Sequence, residues 1–234
     1  MESQVRGGTR WKRFALVMVP SVAATAAIGV GLAQGALAAS FSVSGVDFKV
    51  TAEKLDGQNL LQYGSVATGK SLKGEDQNHP VVVSGFSHAG IDKMCQSVVQ
   101  PLPLGLGYVT MKLKAGGSEQ ISADNIYLDV SDLSTDAKFT NIDIGVAAGE
   151  GKTGSMYPGQ TKIQPGADGK VAPGSQFGFA QRADHAELSN VEQRAWATTA
   201  GSFKLPGLKL SLAVDKDPKK NECGTWQHEW EPQQ

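Results

Sequence analysis

The chain carries four histidines, His79, His88, His185 and His228, the side chains suited to exchanging a proton near neutral pH or to ligating a metal. Two of them occupy related places. His88 and His185 each stand just before the alanine that opens a recurring phrase, and Asp136 holds that place in the remaining copy. If the copies packed around an axis, His88, Asp136 and His185 would converge as a metal-ligand set. No HxH or HExxH spacing accompanies them, so the expectation is a polar position at the start of a strand, with no metal and no cofactor.

Acyl chemistry on a serine needs a base and a sharply presented hydroxyl. The chain has no GxSxG. Its nearest phrase, "GGSEQ" at 116–120, lacks the closing glycine and reads as a hairpin turn after "MKLKA". Ser118 with His88 or His185 as base is the best hydrolase set on offer, and the reading is that the chain is not an enzyme. The carboxylate pairs Asp129 with Asp132, and Asp136 with Asp143, fit residues on the wet face of strands and turn caps better than an acid–base pair.

The elements that would position these residues are organised by the repeat. "AKFTNID" at 137–143 returns as "AELSNVE" at 186–192, and "AGIDKMC" at 89–95 is a weaker copy, with spacings of 48 and 49 residues between leading alanines. The match extends past the phrase, because an alternating strand follows 23 residues after Ala89 in "YVTMKLKA" and after Ala186 in "LPGLKLSLA". A repeat of about fifty residues by duplication is the simplest account. In this reading Ala137 and Ala186 are small residues where layers approach, and Asn141 and Asn190 bond backbone left unpaired at turns or edges.

Composition favours strands: 28 Gly, 10 Pro, 7 % aromatic and 19 % charged residues suit short strands and many turns. Alternation or apolar runs predict strands at about 42–52, 81–86, 91–99, 108–115, 121–130, 138–146, 186–198 and 203–214. Ile126, Leu128 and Val130 share one face, as do Leu208, Leu210, Leu212 and Val214. The predicted fold is mainly β, an antiparallel sheet covered on one side, sandwich-like or curved. A β-solenoid is the rival, with repeats usually shorter than these. The window 147–178, with eight Gly and three Pro, reads as a mobile loop.

The chain ends address location. Arg6, Arg10, Lys12 and Arg13 precede an uncharged stretch at 14–33, and "ALAAS" supplies a cleavage-like site, so 1–39 reads as an N-terminal hydrophobic helix, a signal peptide or a signal anchor. Residues 40–223 then form a β-rich extracytoplasmic domain, secreted or held to the membrane by 14–33. Residues 224–234 form a tail in which Trp226 and Trp230 flank His228. Removing 1–39 takes four of the 22 basic residues and one of the 23 acidic ones, leaving a net charge of −4, which gives nucleic acid no basic face. Cys95 and Cys223, in an exported chain, are expected to pair as a disulfide.

The export signal followed by "SFSVSGVDFKVTAEKLDG", "SGFSHAGIDKMCQSVV", "YLDVSDLSTDAKFTNIDIG" and "AWATTAGSFKLPGLKLSL", with a late cysteine, resembles a family of exported proteins of filamentous actinobacteria. The similarity runs from the signal to Cys223. The resemblance implies a domain of unknown function, often labelled cholesterol esterase, encoded beside a small integral membrane protein. The 147–178 window departs from the family's compact members, and no catalytic motif carries over. The expected function is therefore an exported cell-envelope protein binding lipid, wall polymer or a membrane partner. A lipid ester hydrolase and a structural surface component are the alternatives.

Overall fold

A computed structural model describes residues 44–149, 162–164 and 175–224. The signal or anchor at 1–39, most of the 147–178 window and the tail after 224 lie outside the described residues. Nine strands follow one another: β1 (Phe48–Lys70), β2 (Asp76–Asp92), β3 (Met94–Pro101), β4 (Tyr108–Ala115), β5 (Ile121–Thr140), β6 (Asp143–Ala147), β7 (Phe179–Thr199), β8 (Ser202–Lys204) and β9 (Lys209–Asp215). Every pairing is antiparallel, as the alternation predicted.

The sheet closes on itself, where the sequence suggested a sandwich-like or openly curved sheet. β1 pairs with β2, β2 with β5, β5 with β7, and β7 returns to β1. One row shows the geometry: Asp124 pairs with His88, His88 with Gln58, Gln58 with His185 and His185 with Thr140, back on β5 but well along it. So large a stagger means steeply inclined strands, which is why four of them, of 17 to 23 residues, suffice to close. Closure pairs these strands on both sides over most of their length, while 65–70 of β1 and 76–81 of β2 pair only with each other among the described residues. β3, β6 and β8 prolong β2, β5 and β7 past a corner, running along β1, β7 and β5. β4 pairs with β3 and β9 with β4, so β3, β4 and β9 form an arm leaving the ring.

The corners explain the recurring phrase. Its fifth residue is Lys93, Asn141 or Asn190, and all three take left-handed backbone, with φ of 49°, 54° and 52°. Asn59 and Asn125 make the same turn at φ 53° and 49° without the phrase, so the corner, not the phrase, is the constant. Asparagine tolerates this region because its short polar side chain finds local partners. Those partners are side chains opposite and not the backbone that the sequence suggested: Asn141 Nδ2 donates to Asp184 Oδ2 at 2.7 Å and Asn190 Nδ2 to Asp136 Oδ2 at 2.8 Å. Each corner also slips the alternation. The buried series in β1 runs Val50, Ala52, then Leu55, Gly57, then Leu60, skipping an extra residue near Glu53, which faces Asn190, and at Asn59. That slip hid residues 53–70 from a period-two search; likewise the two stretches read at 121–130 and 138–146 join, through to Thr140, in β5.

Inside the ring a row of small residues, Ala123, Ala89, Gly57 and Ala186, makes room for Phe86. A Cβ on Gly57 would lie 2.3 Å from the Phe86 ring. Around them pack Leu55, Leu60, Ile91, Ile121, Ile126, Leu128 and Val191. Ala186 is the small inward residue expected, but Ala137 is exposed: near the end of β5, it is Phe139 that pairs with Ala186. A second cluster, Leu61, Tyr63, Ala67, Val81, Val83 and Ala180, lies on the opposite face of the sheet and is covered by Ala148 and Ile163. The Tyr63 hydroxyl accepts the Gln164 N–H at 2.9 Å and the Tyr127 hydroxyl donates to the Lys162 carbonyl at 3.0 Å, so 162–164 is seated on the fold.

Cys95 and Cys223 form the expected disulfide, with Cα atoms 5.8 Å apart. The Cys223 N–H donates to Ser97 Oγ at 3.0 Å, and Lys49 and Glu222 form a buried ion pair beside it. These contacts hold the chain's last described turn against β1 and β3, at the base of the arm.

Candidate functional site

The residues that sequence nominated for chemistry sit apart, each in its own contact. His88 and His185 flank Gln58 in the row around the ring. His88 Nδ1 lies 2.7 Å from Asp124 Oδ1, and the other Asp124 oxygen accepts Ser202 Oγ at 2.6 Å. The Ser202 hydroxyl, then His88, hold the Asp124 carboxyl below its usual range. His185 Nε2 lies 2.8 Å from Asp56 Oδ1, which it holds below the usual range, and its Nδ1 lies 3.7 Å from Glu187. A nucleophile would need its hydroxyl on the imidazole; here Ser202 donates to the carboxylate, which does not activate it.

Ser118 sits on the turn between β4 and β5, in a shallow cleft with Glu53, Lys54, Asp92 and Lys93, and neither His88 nor His185 lines it. Asp136 accepts Asn190. His88, Asp136 and His185 thus bind three different partners, and no group of three His, Cys, Asp or Glu among the described residues is arranged to hold a metal.

The most perturbed acid is one the sequence placed on a wet face. Val83 pairs with both Asp129 and Tyr63, setting the three side by side under the segment 162–164. Burial pushes the Asp129 carboxyl up to about 6 and the Tyr63 phenol up to about 12. His79 stacks on Trp196 with centroids 3.5 Å apart, and burial lowers its basicity. Alternation in "NIYLDV" assigned Tyr127 and Asp129 correctly to the face away from Leu128. It could not show that a piece of the Gly/Pro window would cover that face.

The arm presents the opposite arrangement. Leu208, just before β9, and Leu210, Leu212 and Val214 along it are 51 to 70 % exposed. Leu210, Leu212 and Val214 pair with Leu113, Met111 and Val109 of β4, and Met111 in turn with Val98 of β3. The arm's other face is covered in part, with Ser97 and Thr110 buried and the Cys223 N–H on Ser97, while Lys114, Lys209 and Ser211 stay exposed. At the turn between β3 and β4, Leu104 and Leu106 extend the apolar surface, Leu104 at 95 % exposed. Residues 108–115 and 208–224 hold six lysines (Lys112, Lys114, Lys209, Lys216, Lys219 and Lys220) against Asp215, Asp217 and Glu222; Lys112, Lys114 and Lys209 alternate with the apolar residues and so lie on the other face, and Lys220 pairs with Asp215 at 2.6 Å. Exposed apolar residues in a row of this kind are uncommon on the surface of a folded monomer. The sequence placed Leu208 to Val214 on one face but took that face for core.

Residues 44–224 match the model of a family described as a family of unknown function (DUF6230). No curated protein and no solved structure matches the chain.

Proposed function

The chain belongs to the family of unknown function DUF6230, and we propose on that footing that it is an extracytoplasmic protein that docks on a lipid surface through its arm. The exposed residues Leu210, Leu212 and Val214 of β9, with Leu208 just before it, carry this reading. Burying each of these side chains in an interface is worth on the order of 1 kcal/mol, given that each is only partly exposed. The lysine excess of the arm as a whole adds a longer-range attraction toward anionic headgroups, weaker than the ~1 kcal/mol of a lysine placed at the surface, because Lys112, Lys114 and Lys209 point to the other face. The disulfide and the export signal support a location outside the cytoplasm. A wall polymer, rich in hydroxyl and amide groups, would leave the leucines unsatisfied, and a small integral membrane protein is the competing occupant of the same face.

The hydrolase alternative draws no support from the described residues, where neither His88 nor His185 lines the cleft of Ser118. The test of docking is co-sedimentation of the oxidised exported chain with vesicles of phosphatidylglycerol and phosphatidylethanolamine. Binding should weaken at least about tenfold in Leu210→Ser/Leu212→Ser and weaken with added salt. A wild-type chain that stays in the supernatant at all lipid concentrations, or a double variant that binds equally well, would refute the reading.

A further inference from the structure

β6, β8 and β9 each pair on one side only among the described residues. A free sheet edge offers unpaired backbone N–H and C=O groups, and folded proteins blunt such edges with bulges, prolines or short length. β6 is blunted by a register shift between Ile144 and Val146, around Gly145 at φ 85°. β8 is only three residues long. β9 has neither a register shift nor a proline over its seven residues beside β4, and its only charges, Lys209 and Asp215, stand at its two ends.

Its sequence, "KLSLAVD", is also complementary to itself. Reversed about Leu212, Lys209 meets Asp215, Leu210 meets Val214, Ser211 meets Ala213 and Leu212 meets Leu212. Directly opposed residues of an antiparallel pair share a face, so the apolar side chains meet on one side and the opposite charges on the other. Within a single chain the β4 ladder sets Lys209 directly against Lys114, two like charges. A carboxylate from outside would relieve that opposition.

We infer that β9 pairs antiparallel with β9 of a second copy, about a two-fold axis through Leu212. The pairing joins two arms into one continuous sheet and merges two apolar faces into a single larger one. It is isologous and therefore closed, giving a dimer and not a filament. It does not depend on what the apolar face docks to: a monomer that binds vesicles would remove the pairing alone, and a dimer that does not would remove the lipid reading alone.

The test is light scattering during gel filtration of the oxidised exported chain, without lipid, at about 50 µM, a concentration at which a micromolar dimer is filled. Wild type should run as a dimer. Lys209→Asp sets two carboxylates opposite each other at both ends of the pair, and Asp215→Lys sets two lysines there; each variant should dimerise at least about tenfold more weakly. Mixing the two variants in equal amounts restores opposite charges at both ends and should restore the dimer. Because Lys209→Asp faces Lys114 in its own chain, loss of folding would not explain its behaviour, and unchanged circular dichroism checks this. A monomeric wild type, single variants that dimerise like wild type, or an equal mixture that stays monomeric would each overturn the inference.

Discussion

β5 and β9 carry the same kind of pattern to opposite ends. Ile126, Leu128 and Val130 alternate along β5 and are buried inside the ring, whereas Leu210, Leu212 and Val214 alternate along β9 and stand in solvent. The difference lies in neighbours. β5 has partners on both sides, whose Phe86, Ala89 and Leu188 join its apolar residues in the ring's core, while β9 among the described residues hangs from β4 alone. Period-two hydrophobicity states which residues share a face, and only the surrounding topology states whether that face is covered. The ring accordingly holds most of the buried core, and the arm leaves its apolar face exposed.

The largest effect that separates the two regions is a truncation inside the ring. Phe86→Ala should cost about 4 kcal/mol in denaturant unfolding, because Phe86 is 1 % exposed and Gly57 leaves no side chain to refill its space. A loss under 1 kcal/mol would mean that the ring is loosely filled. Breaking the Cys95–Cys223 bond, which spans 128 residues, should cost about 4 kcal/mol in the chain-entropy account. If Cys95→Ser/Cys223→Ser unfolds at the same denaturant concentration as the oxidised wild type, the arm's base is held by other contacts.

A smaller difference follows from Asp129. Its folded pKa of about 6 lies above the unfolded value of 3.8, so the native state binds the proton more tightly. The sign is that of a raised carboxylate: the stabilising proton is held below about pH 4, and the stability it confers is lost as pH rises through 6. Relative to Asp129→Asn, wild type should lose on the order of 2 kcal/mol between pH 4 and pH 7, after allowance for solvent screening. Parallel curves for the two proteins would show Asp129 to be well solvated. Smaller again, Asn190→Val should cost about 1–2 kcal/mol by forcing a branched side chain into left-handed backbone, with Asn190→Gly well below that. Equal losses would assign the cost to the Asp136 hydrogen bond and not to the corner. The smallest effect belongs to the arm: Leu212→Ser should change stability by no more than about 0.5 kcal/mol, since Leu212 is 70 % exposed.

The same contrast describes what the sequence made legible. β4 was read at its observed bounds because a plain alternation runs through it without a corner, and the disulfide followed from two cysteines in a chain read as exported. The second half of β1 escaped because Asn59 shifts the alternation by one residue, so each half-pattern was too short to register. Closure of the ring is a matter of which strand meets which, and Gln58 gives no sign that His88 and His185 will be its two neighbours. Asp129 was placed on the correct face, yet its cover, 162–164, comes from a window whose composition reads as loop. For the arm, the apolar face was legible down to the residue and its exposure was not.

The most direct test of the division between ring and arm is amide hydrogen exchange with and without vesicles of phosphatidylglycerol and phosphatidylethanolamine. Docking through the arm predicts slower exchange confined to 102–115 and 208–215, with β2 and β5 unchanged. Added protection in 82–91 or 121–130, or none anywhere in a chain that co-sediments, would contradict it.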